Sequence, residues 1–302
     1  MDSQQLSGME LGDHRGTASM KGLLVISLLF ISTSVSAQYS STTFCPTTGP
    51  SFTAFGYPAA EGFGASATGG CQSGRATYTV NTLSDSGAAV DGDCSDADCS
   101  FRDAVEAETG PRLVVFSVSG NIELTDEIEI VSGDLTIDGG SAPNGGVAFK
   151  DHAVRLRSSN IIVRFLRFRR GVFADPSDED SFSINREPPE TGGEATANFI
   201  IDHCSMTWAD DGNLDINGGV SDVTIQWSLI AEVAASSGNS LLAYGGAECT
   251  VGTAGPTNLS VHHCLFTQGG RNPEQNQGDL DWVNNVTYRN HTSAGAGDVG
   301  LF

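Results

Sequence analysis

Between Asn198 and Asp215 the chain reads NFIIDHCSMTWADDGNLD, an apolar strand that enters a His-Cys step and then a corner crowded with acid. On an extended strand Leu214 and Ile216 point one way and Asp215 the other, which makes Asp215 a surface carboxylate. Were the strand straight, Asp211 would lie about 13 Å from Asp215, so Gly212 is expected in a bend that brings Asp211 round. The same consideration applies to Asp180, which precedes SFSI one coil earlier. Carboxylates stacked at such a corner repel one another, and a hard, oxygen-preferring cation relieves the repulsion. The plain alternative is a group of solvated loop acids. Asp210 and Asp211 together would also suit a two-carboxylate glycoside hydrolase.

The elements that must position these residues repeat. IIVRFLRF, FIIDHCSM, DVTIQWSLI, NLSVHHCLF and LDWVNNVTY each lead through alternating apolar residues to two bulky or polar positions and then a short apolar pair. Aligned on that step, Phe165, Cys204, Ser228, Cys264 and Asn285 form one column, separated by 39, 24, 36 and 21 residues. Strands recurring at such intervals indicate an all-β solenoid, read as a parallel β-helix. In this alignment Cys204 and Cys264 are two coils apart, with α-carbons about 10 Å from each other, beyond disulfide reach. They are expected as free, buried thiols, whereas Cys94 with Cys99, and Cys45 with Cys71, are candidate disulfides. His203 and His263 occupy equivalent repeat positions, which favours packing over catalysis. Trp208, Trp227 and Trp282 could stack on sugar rings if exposed, or simply cover coil surfaces. Some of Arg164, Arg167, Arg169 and Arg170 are expected on the outer face beside the acidic corner, and Asn258, Asn285 and Asn290 head glycosylation sequons.

Residues 1–37 are read as an N-terminal extension and secretory signal peptide: Lys21 precedes a short apolar run that closes on Val35-Ser36-Ala37, with Met20 an alternative start. The protein is therefore expected to be extracellular. Residues 38–302 are enough for one large domain, expected as a monomer without a membrane span. The net charge of −22 falls almost wholly in that part. Such a surface repels nucleic acid and anionic lipid, and it repels a polyanion unless a cation stands between them. SFRDAVEAE has the spacing of a capping box and the composition of a short helix, placed to cover the first coil. The last recognisable coil closes at Tyr288, and SAGAGDVGLF offers it no cap.

AFGYPAAEGFGASATGG, SFRDAV, LTIDGG, IIVRFLRFR, IIDHCSMTWADDGNLDI, VTIQWSLI and GGRNP, in that order, resemble the pectate lyase family. The resemblance implies a single-stranded right-handed parallel β-helix and Ca2+-dependent β-elimination of polygalacturonate, the acidic backbone of pectin. It assigns calcium ligands to Asp180, Asp211 and Asp215. Arg271 matches the base that removes the C5 proton as the C4 oxygen leaves, an electrostatic task in which the cation stabilises the developing enolate-like charge. The sequence departs from the pattern by lacking lysine after Lys150 and by carrying Glu274-Gln275-Asn276 where relatives place a second arginine. Weaker binding of polygalacturonate, a less charged uronate polymer or methylated pectin are the resulting expectations. Two rival readings are a β-helix hydrolase and a non-catalytic polysaccharide binder.

Overall fold

The computed structural model describes residues 60–95, 97–172, 180–186, 193–234, 238–244, 255–270, 273–275 and 278–288. The leader, Cys45, Arg271 and Asn290 lie outside the described residues. One coil illustrates the plan. Ile161–Arg164 joins an eight-stranded sheet, Arg167–Arg169 a seven-stranded sheet and Phe182–Ile184 a six-stranded sheet, before Thr196–Asp202 returns to the first. Neighbouring coils pair in parallel, as at Phe199 with Ile161 and Leu214 with Phe182. The chain is an all-β parallel β-helix, right-handed as parallel crossovers are.

Inward positions alternate along each strand and form the core: Leu214 and Ile216 are fully buried, as are Ile161, Val163, Phe199 and Ile201. Phe101, Phe149, Phe168 and Phe182 stack through it with successive ring centroids 4.2, 5.6 and 4.5 Å apart. Phe101 belongs to the short helical segment at the start, where Ser100 Oγ accepts the Asp103 N–H at 3.0 Å and donates to Asp103 Oδ2 at 2.9 Å. Hence the Ser100 half of the capping box forms, while the Asp103 carboxylate accepts from the Ser100 hydroxyl and the Gly92 N–H, and burial of Ala104 and Val105 fixes the segment against the core.

The corner between the eight- and seven-stranded sheets differs from the expected column by one residue in its first coil. Arg164 pairs with Asp202 and Arg167 with Ser205, so Leu166, not Phe165, stands opposite Cys204. The cause is local: Phe165 takes a left-handed φ of 56° and turns outward, and Leu166 turns in. Phe165, His203, Trp227 and His263 then stack along the outside with centroids 4.8, 6.1 and 4.3 Å apart, so both histidines pack as their repeat positions suggested. Inside the corner Cys204 and Cys264 are free and buried. Ser228 Oγ accepts the Cys204 N–H at 3.1 Å, and Asn285 Oδ1 accepts the Cys264 N–H at 2.8 Å. Asn285 Nδ2 donates to the Val261 carbonyl, so this sequon amide is committed to the ladder. Cys94 and Cys99 are bonded. Cys71 is also in a disulfide, but the pairing with Cys45 lies outside the described residues.

The glycine-rich stretch before the first strand is a strap laid across the outer face of the eight-stranded sheet. The Phe63 N–H donates to Ser260 Oγ at 3.0 Å, Gly64 N–H to Thr224 Oγ1 at 2.9 Å, Thr68 and Gly69 N–H to Asn160 Oδ1 at 2.7 and 2.9 Å, and Gly70 N–H to Thr136 Oγ1 at 3.0 Å. Close approach is the reason for glycine. A Cβ at Gly64 would stand 2.1 Å from the Phe199 carbonyl oxygen and one at Gly70 1.7 Å from that of Arg112.

Candidate active site

The acidic corner forms where the seven-stranded sheet turns into the six-stranded one. Thr207 ends Ser205–Thr207, and its carbonyl accepts the Ser181 hydroxyl at 3.1 Å, tying the corner to the preceding coil. Residues 208–211 then lead into Gly212–Asn217. The turn is closed by Asn213, whose Oδ1 accepts the Ala209 N–H at 3.2 Å while its Nδ2 donates to the Ala231 carbonyl at 2.7 Å. Local sequence thus supplies a small residue and an amide where the backbone must turn sharply.

Asp215 faces outward, opposite Ser183, as the alternation required. It is nevertheless only 7% exposed, so the expectation of a surface carboxylate is corrected to a carboxylate sealed by its neighbours. Gly212 also has a different role from the expected bend. It is the first residue of the strand and is not in the left-handed region; the bend falls at Asp210 and Asp211. What Gly212 supplies is room. A Cβ there would meet Asp215 Oδ1 at 2.4 Å and Asp180 Oδ1 at 2.5 Å, so both carboxylates lean over its bare α-carbon.

Asp180 is half-buried as a residue, but its Oδ1 is shut off from solvent and accepts no hydrogen bond among the described residues. Burial raises its pKa well above the usual carboxylate range, and the charges of Asp215 and then Asp211 push the same way; Arg155 and the Gly212 N–H oppose them. Asp211 is therefore coupled to the pair through its charge, while its carbonyl accepts the Asn239 N–H at 2.7 Å. Among the described residues no three His, Cys, Asp or Glu side chains close into a ready metal-holding group. The structure brings two of the expected ligands together, with the third electrostatically coupled to them.

Arg271 lies outside the described residues. Its predecessor Gly270 bridges Asn239, which is opposite Gly212 on the adjoining strand, so this part of the chain enters the same row of the sheet two strands away. The outward row three residues along from Gly212 runs Glu129, Arg155, Ser183, Asp215, Leu242, Glu274. Arg155 was not singled out in the sequence. Its place on the rung before Ser183 is the signal that could have found it, and its Nε lies 3.0 Å from the Glu127 carboxylate.

The other arginines divide by role. Arg164 is fully buried against Asp202 at 3.2 Å. Arg169 donates to the Phe168 and Ser205 carbonyls and to Ser205 Oγ. Arg170, also buried, holds Asp210 in a short ion pair. Asp210 is thus neutralised by a cation, which removes it from a paired-acid arrangement with Asp211 and weakens the hydrolase reading. Of the tryptophans, Trp282 packs on Phe266, Trp227 lies in the outer stack and Trp208 stands 48% exposed at the mouth of the acidic corner.

No family model matches the chain. Curated relatives do. The protein named "Probable pectate lyase C" from Aspergillus oryzae is 37% identical over 234 residues, 77% of this chain and 47% of that one. Its namesake from Aspergillus terreus is 34% identical over 233 residues, again 77% of this chain and 47% of the relative. Over most of its length the chain is similar to proteins of the pectate lyase family. It spans about half the length of the curated pectate lyases it matches. Solved structures agree on the fold. The cedar pollen allergen jun a 1 superposes with a TM-score of 0.56 at 21% identity, covering 77% of this chain and 65% of that one. A pectate lyase studied for its substrate specificity and anti β-elimination mechanism gives 0.53 at 14% identity, covering 75% of this chain and 71% of that one. Against the pectate lyase pattern, Glu274 is notable for its place: it shares the outward row with Asp215, so the departure falls within the candidate cleft.

Proposed function

We propose that this protein is a secreted lyase that cleaves polygalacturonate, or a less charged pectin, by Ca2+-dependent β-elimination, with Asp180, Asp211 and Asp215 holding the ion and Arg271 acting as base. The observation that carries the reading is the pocket over Gly212, where two buried carboxylate oxygens share a space that any side chain at that residue would fill. A hard cation suits it: the donors are oxygens, Asp180 Oδ1 is otherwise without a hydrogen-bond partner among the described residues, and the acids repel one another without a counter-charge. When held by Asp180, Asp211 and Asp215, calcium would supply positive charge that offsets the uronate carboxylate and makes the C5 proton more acidic.

The chain's own residues do the remaining work. Ser181, Asn213 and the Arg170–Asp210 pair fix the corner, so the carboxylates are placed before substrate arrives. Arg271 would take the C5 proton, which requires a guanidinium transiently lacking its proton. With Glu274 rather than an arginine nearby, little positive charge favours that form, so activity should be low and rise toward alkaline pH. The test is ultraviolet absorbance of the unsaturated product, followed beside reducing ends with polygalacturonate in calcium chloride. Absorbance and reducing ends rising together in the parent, with turnover lost in Arg271→Lys but polygalacturonate still bound, is the expected result. Reducing ends without absorbance would establish hydrolysis, and undiminished elimination by Arg271→Lys would remove Arg271 as the base.

A further inference from the structure

The corner that carries Trp208 repeats on neighbouring coils with a left-handed backbone: φ is 79° at Asp151, 69° at Trp208, 54° at Glu232 and 54° at Gln268. The rungs are joined, since the Asp151 N–H donates to the Arg170 carbonyl, Trp208 N–H to that of Glu232 and Glu232 N–H to that of Thr267. Polar residues are the usual occupants of such a position because a bulky side chain there is strained. At this corner Trp208 is the exception, and burial does not compensate for it, because the residue is 48% exposed. Nor is the ring loose. Its Nε1 donates to Glu232 Oε2 at 2.8 Å, and the Arg169 guanidinium carbon lies 5.7 Å from its centroid. Arg169 is itself held by Phe168 and Ser205. Trp227, by contrast, is exposed but stacks on His263 at 4.3 Å and faces His203 at 6.1 Å, so its faces are taken by neighbouring coils.

We infer that Trp208 is a sugar-binding platform, a subsite that receives the apolar face of a uronosyl ring beside the acidic corner. The inference rests on the function proposed above and deepens it. A ring held at its edge by Glu232 and flanked on one face by Arg169, in a residue still 48% exposed, loses little freedom when a sugar stacks on its open surface, which is the condition for useful affinity from one aromatic residue. The rim supplies the matching polar groups. Arg169 offers a cation to a uronate carboxylate, and Glu232 offers an acceptor to a hydroxyl. The ring leads directly, through Ala209 and the Arg170-bound Asp210, into Asp211. A chain seated on Trp208 would therefore continue toward the carboxylates over Gly212. In a cleft short of lysine, contact through an aromatic face substitutes for attraction between charges, and it serves a methyl-esterified ring as well as a free uronate.

The experiment is binding of hexagalacturonate in calcium chloride, read by tryptophan fluorescence and calorimetry, together with initial rates of elimination. Trp208→Ala should raise the Kd and the KM at least tenfold, with kcat falling by less, while Trp208→Phe recovers most of the affinity and Trp227→Phe behaves as the parent. Glu232→Ala, which frees the indole edge, should weaken binding to a smaller degree. Circular dichroism and the melting temperature of each variant separate loss of the platform from loss of fold. Elimination by the parent with KM and Kd unchanged in Trp208→Ala would overturn the platform and leave the lyase reading intact. Binding that depends on Trp208 in a parent that makes no unsaturated product would keep the platform and sink the lyase. A parent that does not bind hexagalacturonate overturns the platform.

Discussion

Gly212→Ala is the smallest change that addresses the proposed calcium site without touching a ligand. The new methyl would stand 2.4 Å from Asp215 Oδ1 and 2.5 Å from Asp180 Oδ1, whereas a real Cβ needs at least 3.0 Å. Each oxygen must then retreat by about 0.5 to 1 Å in a packed environment, a displacement large against a calcium–oxygen distance of about 2.3–2.6 Å. The backbone itself accepts alanine, because Gly212 is not among the residues with positive φ. The steric cost of such overpacking is about 1–3 kcal/mol. If only the lower half of that range falls on the loaded site, the calcium Kd rises about tenfold, the equivalent of about 1.4 kcal/mol. Calorimetric titration of calcium into the parent and the variant, with melting curves in chelator and in calcium chloride, gives both quantities. The parent should melt higher in calcium and the variant should lose most of that increment. A Gly212→Ala protein that binds calcium within twofold of the parent would refute the reasoning, since the two oxygens could not then be sharing the space over Gly212.

Other outcomes follow from the core. Burial pushes the Cys204 and Cys264 thiols up to about 12, against 9.0 for a thiol in the open chain. Above pH 9 the unfolded chain therefore loses these protons and the folded one keeps them, so folding stability falls as pH rises from 9 toward 12, by up to about 1.4 kcal/mol per pH unit for each thiol. Denaturant titrations across that window should show a shallower decline in Cys204→Ser than in the parent, and an equal slope would contradict it. Neither thiol should react with an aromatic disulfide reagent until the protein is unfolded; prompt labelling of the native state would contradict the buried column. Arg164→Met, which leaves the buried Asp202 carboxylate only its hydrogen bonds with His203 and Gln226, should lower stability in denaturant unfolding by less than the about 3–5 kcal/mol of a fully broken buried pair, and an unchanged midpoint would show that the pair contributes little.

How much could be read from the chain alone depended on whether the cause was local. The coil repeat was legible because Ile161, Phe199, Val223, Leu259 and Leu280 recur at the same point of each coil, as their register shows. Cys94 with Cys99 was legible from spacing, and Asp180 with Asp215 from acids set against apolar strands. Phe165 was misaligned by one because Phe165 and Leu166 are both large and apolar, and only the backbone angle decides which turns inward. Gly212 was misread for a different reason. A glycine needed for space looks identical to one needed for a bend until the groups above it are known, and those come from another coil. The burial of Asp215 was hidden similarly, because alternation tells which face a residue takes and not what covers that face.

The glycine strap has a consequence for the order in which the molecule assembles. A β-helix touches mainly its nearest coils, so by itself it behaves as a line of weakly coupled units that can fray from either end. Phe63 and Ser260, however, are joined across 197 residues, and Gly64 and Thr224 across 160. A chain synthesised from its amino end releases the strap first, yet the sheet that receives it is complete only when residues near 260 have folded. Docking of the strap is therefore a late event with a large loop-closure cost, and it links coils that would otherwise melt independently. Once seated it makes early and late coils open together, turning a one-dimensional stack into a single cooperative unit.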